Sequence, residues 1–312
     1  MFGGGSDHPS WFKRYEGSVV SFAIDKYCYI SLRELPPYFD HKFRIVYSKV
    51  ETVKAIDQIK HPAVREAFRK YGSGRNYELQ HHGDLPAQSG VGSSSAFAVG
   101  LINAINSINS KHLTQVQLAN EAIRFEQEDL KETVGSQDQV ACAIGGLNYI
   151  KFNKTGWTSE TLKASIKYLE SFQKNITLVF SGISRLSSDI SKSLIENLEQ
   201  KEELMFKNIE MSASFANLIS NEGDINNIGE MLRESWEIKR KLNPKAITLG
   251  LNDFYEHGLA CGADGGKILG AGGGGFFLFW VSPENQAKFA AGMRDFITVP
   301  VQISMTGSRI IV

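Results

Sequence analysis

Leu85-Pro86-Ala87-Gln88-Ser89-Gly90-Val91-Gly92-Ser93-Ser94-Ser95-Ala96-Phe97 (LPAQSGVGSSSAF) places two glycines and a run of serines directly before an apolar periodic segment. The glycines let the backbone bend and approach a ligand closely, and Phe97, Leu101 and Ile105 recur every four residues on one helical face. The first N–H groups of a helix lack intrahelical partners and carry the positive end of its dipole, so they favour an anion such as phosphate. Hydroxyls of Ser93, Ser94 and Ser95 can add hydrogen bonds or ligate Mg²⁺. A serine-capped helix after a glycine turn accounts for the same residues, and at this point both readings stand. The Walker A pattern G-x-x-x-x-G-K-[ST] is absent, because no lysine follows Gly92.

Around this stretch, β-type runs occupy residues 17–32, 42–48 and 75–83, and helices are expected from Thr114 to about Leu130 and over 137–144, closed by Gly145-Gly146. Residues 147–160 look like strand plus turn, which divides the chain into an N-terminal domain over 1–155 and a C-terminal domain over 156–312. The second part is expected to carry a strand at 176–181, amphipathic helices over roughly 185–260 and a strand at 276–281. A helix at 283–296 and a last strand toward Ile311 follow.

In the Thr114 helix, Val116, Ala119, Ile123 and Leu130 form a stripe with Glu126 in the remaining slot. An inward carboxylate is costly unless compensated, so Glu126 is either ion-paired or a metal ligand. Asp138, in VGSQDQ, stands near the start of the next helix, where a cap is the simplest role. At the N-terminus, GGGSDHP presents Asp7 and His8 on a glycine turn. His81 and His82 are adjacent, so in a strand they point apart and form no metal pair. Lys267-Ile268-Leu269-Gly270-Ala271-Gly272-Gly273-Gly274-Gly275 formally fits G-x-G-x-x-G. A dinucleotide fingerprint opens a helix, however, whereas Phe276 to Val281 is β-type. Close approach to another backbone or a ligand explains these glycines better.

The 312 residues are 42% hydrophobic and 22% charged with a formal net charge of +0, an ordinary globular composition without a basic field for nucleic acid or membrane. Cys28, Cys142 and Cys261 form neither a disulfide framework nor a zinc pattern, so a reducing cytoplasm is expected. No apolar run approaches the roughly 18–20 residues of a membrane span, and no signal peptide is visible.

GGGSD at 3–7, P-x-x-x-G-V-G-S-S-S-A at 86–96 and K-I-L-G-A-G-G-G-G at 267–275 stand in the order of the three GHMP kinase motifs, and the chain resembles that superfamily over nearly its whole length. FGGGSDHPSWF at 2–12, IDKYCYI at 24–30, VGSQDQ and GSRII at 307–311 resemble most the D-glycero-D-manno-heptose 7-phosphate kinases. The resemblance implies a two-domain α+β fold, with an N-terminal domain like ribosomal S5 domain 2, a ferredoxin-like C-terminal domain and the active site between them. It implies ATP-dependent phosphorylation, with Mg²⁺, of the anomeric hydroxyl of heptose 7-phosphate to the 1,7-bisphosphate used for nucleotide-activated heptose and surface polysaccharide.

By the same resemblance Pro86, Gly90, Val91, Gly92, Ser93, Ser94, Ser95 and Ala96 form the ATP phosphate loop, Ser94 and Glu126 ligate Mg²⁺, and Asp138 is the base. Asp7, with Gly5 and His8, would meet the sugar, while Gly272 and Gly273 shape the floor of its site. Arg185 is the first candidate for the 7-phosphate, ahead of Lys26, Arg14 and His8. Alternatives are a free-sugar kinase of the fucose type and a GHMP-fold binding protein without catalysis. Relatives carry a strand before the first glycine motif, whereas here Met1-Phe2 leads directly into it. The fold is therefore expected to lack that strand, with a terminus that frays.

Overall fold

A computed structural model describes residues 1–183, 193, 195 and 201–311. In chain order the elements are α1 (Pro9–Phe12), β1 (Gly17–Phe22), β2 (Cys28–Glu34), β3 (Phe43–Val46), β4 (Val50–Val53), α2 (Pro62–Tyr71), β5 (Tyr77–Gly83), α3 (Ser93–Ile108) and α4 (Gln115–Arg124). A π-helical turn (Phe125–Asp129) leads to α5 (Gln137–Ile144), β6 (Leu147–Asn153), β7 (Gly156–Thr161), α6 (Ile166–Lys174) and β8 (Ile176–Phe180). The chain then runs through α7 (Glu202–Ser220), α8 (Asn227–Leu242), α9 (Leu249–Ala260), β9 (Gly265–Ile268), β10 (Phe276–Trp280), α10 (Gln286–Gly292) and β11 (Thr298–Val299).

Three sheets result, in the orders β1-β6-β7, β2-β5-β3-β4 and β11-β8-β10-β9. The first and third are antiparallel throughout, and β3–β5 is the parallel pair of the second. The division expected at residue 155 falls in the β6–β7 turn, and the first sheet ends at Thr161. Helix α3 is apolar on several sides because it lies inside: Val99, Leu101, Ile102 and Ile105 are fully buried, and the helix packs on β2, α4 and α5. Five buried aromatics of a second core, Phe2, Phe172, Phe215, Phe276 and Trp280, join the first and third sheets through α7, which lies on β1.

Two expectations change. The terminus does not fray: Phe2 is fully buried and bridged to Val20, and Asn208 of α7 holds Gly3 N–H (3.3 Å) and Gly4 O (3.0 Å). No strand runs toward Ile311 either. Ile303 makes a single bridge to Ile24, and the following backbone groups pair with separate segments: Ser304 N–H with Ala23 O, Ser304 O with Gly146 N–H, and Ser308 N–H with Cys142 O. Among the described residues no helix is long and apolar enough to cross a membrane.

Candidate active site

Gly90 and Gly92 take the left-handed conformation (φ +80° and +73°), turning the chain from β5 into α3. Gly92 itself is the N-cap of α3 and no side chain caps it, so the capped-helix reading fails and the first N–H groups remain available to an anion. Ser93 Oγ instead donates to Pro86 O (3.4 Å), as does Ser89 Oγ (2.7 Å), closing the loop on itself.

The next two hydroxyls reach Glu126: Ser94 Oγ donates to Oε1 (3.2 Å) and Ser95 Oγ to Oε2 (2.8 Å), and Gln139 Nε2 donates to Oε2 as well. Glu126 is fully buried, and among the described residues no basic side chain pairs with it. Among the described residues the ion-pair alternative has no candidate. Burial pushes its carboxyl up to about 7 against the hydrogen bonds from Ser95 and Gln139. The sequence stripe was right about Glu126 and Ala119, and Ile123 and Leu130 pack half-buried on the core, but Val116 is 53% exposed and Leu118, Ala122 and Phe125 also turn inward. The helix does not stay α-helical to Leu130. In the π turn Leu130 N–H bonds Phe125 O, and the wider turn aims Phe125 and Glu126 together at α3.

Asp138 comes to the other side of the loop from the first turn of α5, half-buried, with its Cγ 3.3 Å from where a Cβ on Gly92 would lie. It does not cap the helix. Burial, then the charge of Asp7, pushes its carboxyl up to about 6. Gly90, Gly92, Ser93, Ser94, Ser95, Glu126, Asp138 and Gln139, but not Pro86, line one cleft of about 1420 Å³, larger than the roughly 300–1,000 Å³ that holds one small ligand. Two residues lining it, Ser21 and Gln139, each have a buried polar atom (Oγ and Oε1) without a hydrogen-bond partner among the described residues, as at a site built to receive polar groups.

Residues 55–146 match the family described as GHMP kinases N terminal domain, and residues 213–297 match GHMP kinases C terminal. The chain belongs to the GHMP kinase family. It is a phosphotransferase, and ATP is the donor. A D-glycero-alpha-D-manno-heptose 7-phosphate kinase of Campylobacter jejuni subsp. jejuni is 26% identical over 308 residues, spanning 94% of this chain and 90% of its own. A mevalonate kinase of Thermococcus gammatolerans is 25% identical over 308 residues (95% and 83%). In fold, a D-glycero-D-manno-heptose 1-phosphate kinase from Bacteroides thetaiotaomicron matches with a TM-score of 0.81 at 22% identity, covering 100% of this chain and 96% of that one. A Lactococcus lactis galactokinase complexed with galactose matches with a TM-score of 0.74 at 15% identity (99% and 92%).

As a GHMP kinase the chain places its third motif behind the phosphate loop. A Cβ on Gly270 would lie 2.7 Å from Gly90 Cα, and one on Gly275 would lie 2.2 Å from Ser89 O. Of the two glycines expected in the floor, Gly272 lines the cleft and Gly273 does not; both pack on Ala246, whose carbonyl accepts from Gly273 N–H (2.7 Å). Lys239, not singled out in the sequence, donates to Gly270 O (2.5 Å) and Ile268 O (3.1 Å) and so fixes the motif from below. Gly275→Ala is expected to push the loop off its seat and lower kcat/KM for ATP by about 10²-fold, the scale of a roughly 1 Å misplacement. Steady-state kinetics with varied ATP checks this.

Asp7 reaches the cleft wall but is only 2% exposed, and both oxygens already accept backbone N–H groups, Gly5 (2.9 Å) and Gln137 (3.1 Å). It thus ties the N-terminal glycine turn to the start of α5, which the sequence expectation of sugar contact did not contain. Gly135 stays a glycine because a Cβ there would lie 1.9 Å from Asp7 Oδ2. Asp7→Asn is expected to shift the acid limb of the pH–rate profile to lower pH, since one charge that raises Asp138 is removed. An unmoved limb would show that the two carboxylates do not communicate.

Gly5 and His8 line the cleft, and burial lowers the pKa of His8, favouring a neutral ring. Lys26 lines it but is paired with Asp25 at 3.1 Å; Arg14 does not line it and lies over the Tyr15 ring. Arg185 lies outside the described residues. His81 packs edge-on against Phe97 while His82 lines the cleft, the opposite orientations expected.

Proposed function

We propose that this kinase transfers the γ-phosphoryl group of ATP to the anomeric hydroxyl of D-glycero-D-manno-heptose 7-phosphate, giving the 1,7-bisphosphate in the cytoplasm for nucleotide-activated heptose synthesis. The observation that carries the chemistry is a phosphate loop bracketed by two carboxylates, Glu126 on the Ser94 and Ser95 hydroxyls and Asp138 against Gly92. The substrate class rests on the heptose-phosphate kinase relative of Campylobacter jejuni.

The donor set suits Mg²⁺: a hard, fully buried carboxylate and a hydroxyl, with phosphate oxygens and water completing the shell. Among the described residues no group of three His, Cys, Asp or Glu side chains forms a metal cage, which agrees with an ion brought in on the nucleotide. Mg²⁺ held by Ser94 and Glu126 would neutralise charge on the transferring phosphoryl group. N–H groups at the start of α3 bind the phosphates. Asp138 orients the sugar hydroxyl and accepts its proton as the oxygen bonds to γ-phosphorus and the bond to the β–γ bridging oxygen breaks, releasing ADP.

The test is a panel of free sugars and sugar phosphates with ATP and Mg²⁺, with product position read by phosphorus NMR. A new anomeric phosphate on heptose 7-phosphate supports the proposal. Turnover confined to unphosphorylated sugars overturns it in favour of a fucose-type kinase.

A further inference from the structure

We infer that Arg309 is the residue that grips a phosphate carried on the far end of the acceptor, and so selects a sugar phosphate over a free sugar; this rests on the sugar-phosphate kinase reading above. The observation behind it is a C-terminal tail that is irregular and yet fixed. Gln302 N–H and O pair with Asp25 Oδ1 and Asp25 N–H (both 2.9 Å), and Ile303 N–H donates to Gln173 Oε1 (2.6 Å). Ser304 pairs with Ala23 and Gly146, Ser308 N–H donates to Cys142 O (2.8 Å), and Asn103 Nδ2 donates to Ser308 Oγ (3.0 Å). Two glycines interlock the tail with α5: a Cβ on Gly307 would lie 2.2 Å from Ala143 O, and one on Gly145 would lie 2.2 Å from Thr306 C. A segment without regular structure is held this closely only where its course matters.

Its course brings Arg309 to the cleft wall beside Cys142, four residues and thus about 6 Å along α5 from Asp138. An acceptor with its anomeric oxygen at Asp138 and its chain laid along α5 therefore points its distal end toward this guanidinium. Among the described residues Arg309 is the one arginine without a hydrogen bond, ion pair or ring contact, whereas Arg33, Arg44, Arg65, Arg69, Arg75 and Arg124, for instance, each hold a carboxylate. Its planar fork keeps its donors for a ligand, and two parallel N–H···O bonds to phosphate are its characteristic use. The other cleft cations among the described residues are less suited. Lys26 is paired with Asp25, Lys239 and Lys267 donate to backbone carbonyls, and Lys131 belongs to the loop that folds back on Glu126, where Glu132 N–H meets Glu126 O (2.9 Å).

The experiment compares the full-length protein with Arg309→Gln and Arg309→Lys, using heptose 7-phosphate and free heptose as acceptors. In Arg309→Gln the ratio of kcat/KM for the phosphorylated over the free sugar is expected to fall by about 10- to 100-fold, the scale of a lost charged hydrogen-bonded contact. The loss falls on KM for the sugar phosphate rather than on kcat or KM for ATP, and Arg309→Lys recovers part of it. A ratio left unchanged in Arg309→Gln, in a protein that does prefer heptose 7-phosphate, overturns the role of Arg309 and leaves the proposed reaction standing. Wild-type turnover of free sugars alone overturns both. Equal losses on the two sugars in both variants would mark a merely structural residue and also overturn it.

Discussion

Asp138→Asn is expected to lower kcat by about 10³-fold, within the range of a lost general base, while leaving KM for ATP near its wild-type value. Asparagine keeps the shape of the side chain beside Gly92 and removes its ability to accept a proton. Since the folded-state carboxyl sits at about 6, the wild-type kcat/KM should fall tenfold per pH unit below that value, because only the ionised form accepts the sugar proton. Above it the profile should be flat as far as this group is concerned. In Asp138→Asn the acid limb should vanish from the residual activity. A variant retaining wild-type turnover would transfer the proton to another group or to none, as a very loose transition state permits.

Glu126→Gln is the second large effect, and it acts in opposite directions on activity and stability. Turnover should fall by about 10²-fold or more as charge stabilisation of the transferring group is lost, and the Mg²⁺ concentration needed for half-maximal nucleotide binding should rise by about tenfold. Stability moves the other way. The carboxyl of Glu126 is raised from its ordinary 4.5 to about 7. A raised acid binds its proton more tightly when folded, so its contribution is fully present below pH 4.5 and is lost as pH rises through 7, at a cost of about 3 kcal/mol above that point. Metal-free wild-type protein should therefore melt lower at pH 8 than Glu126→Gln does, and Mg²⁺ with nucleotide should narrow the gap. Thermal melts with and without Mg²⁺ at pH 5 and pH 8 read this directly. A variant less stable at pH 8 would mean that the Ser94, Ser95 and Gln139 hydrogen bonds outweigh the burial of charge.

Both effects trace to how the carboxylates are held. Glu126 is an acid without a cation partner among the described residues, kept inside by two serines and a glutamine, and such a group destabilises the fold once it is ionised. Asp138 and Asp7 form a near pair in which Asp7 is immobilised by backbone N–H groups, whereas among the described residues no backbone N–H donates to the Asp138 carboxylate.

Much of this was legible in the linear chain because its causes are local. Two glycines and three serines before an apolar helix foretell a glycine turn into a helix start, since backbone conformation depends on residues a turn apart, but whether a serine caps that start or its N–H groups stay open was settled only by the structure. The strand after the 270–275 glycines excluded a dinucleotide fold for the same reason. Burial of Glu126 followed from its spacing, although the π turn put other residues beside it than the regular period predicted. Tertiary structure alone decided that Asp7 caps α5 across 130 residues, that Gln139 secures Glu126, that Lys239 props Gly270 under the loop, and that the tail sets Arg309 beside Cys142. Periodicity reports which face of an element turns inward, but not which distant segment meets it there; that is fixed only when the sheets and helices close on one another.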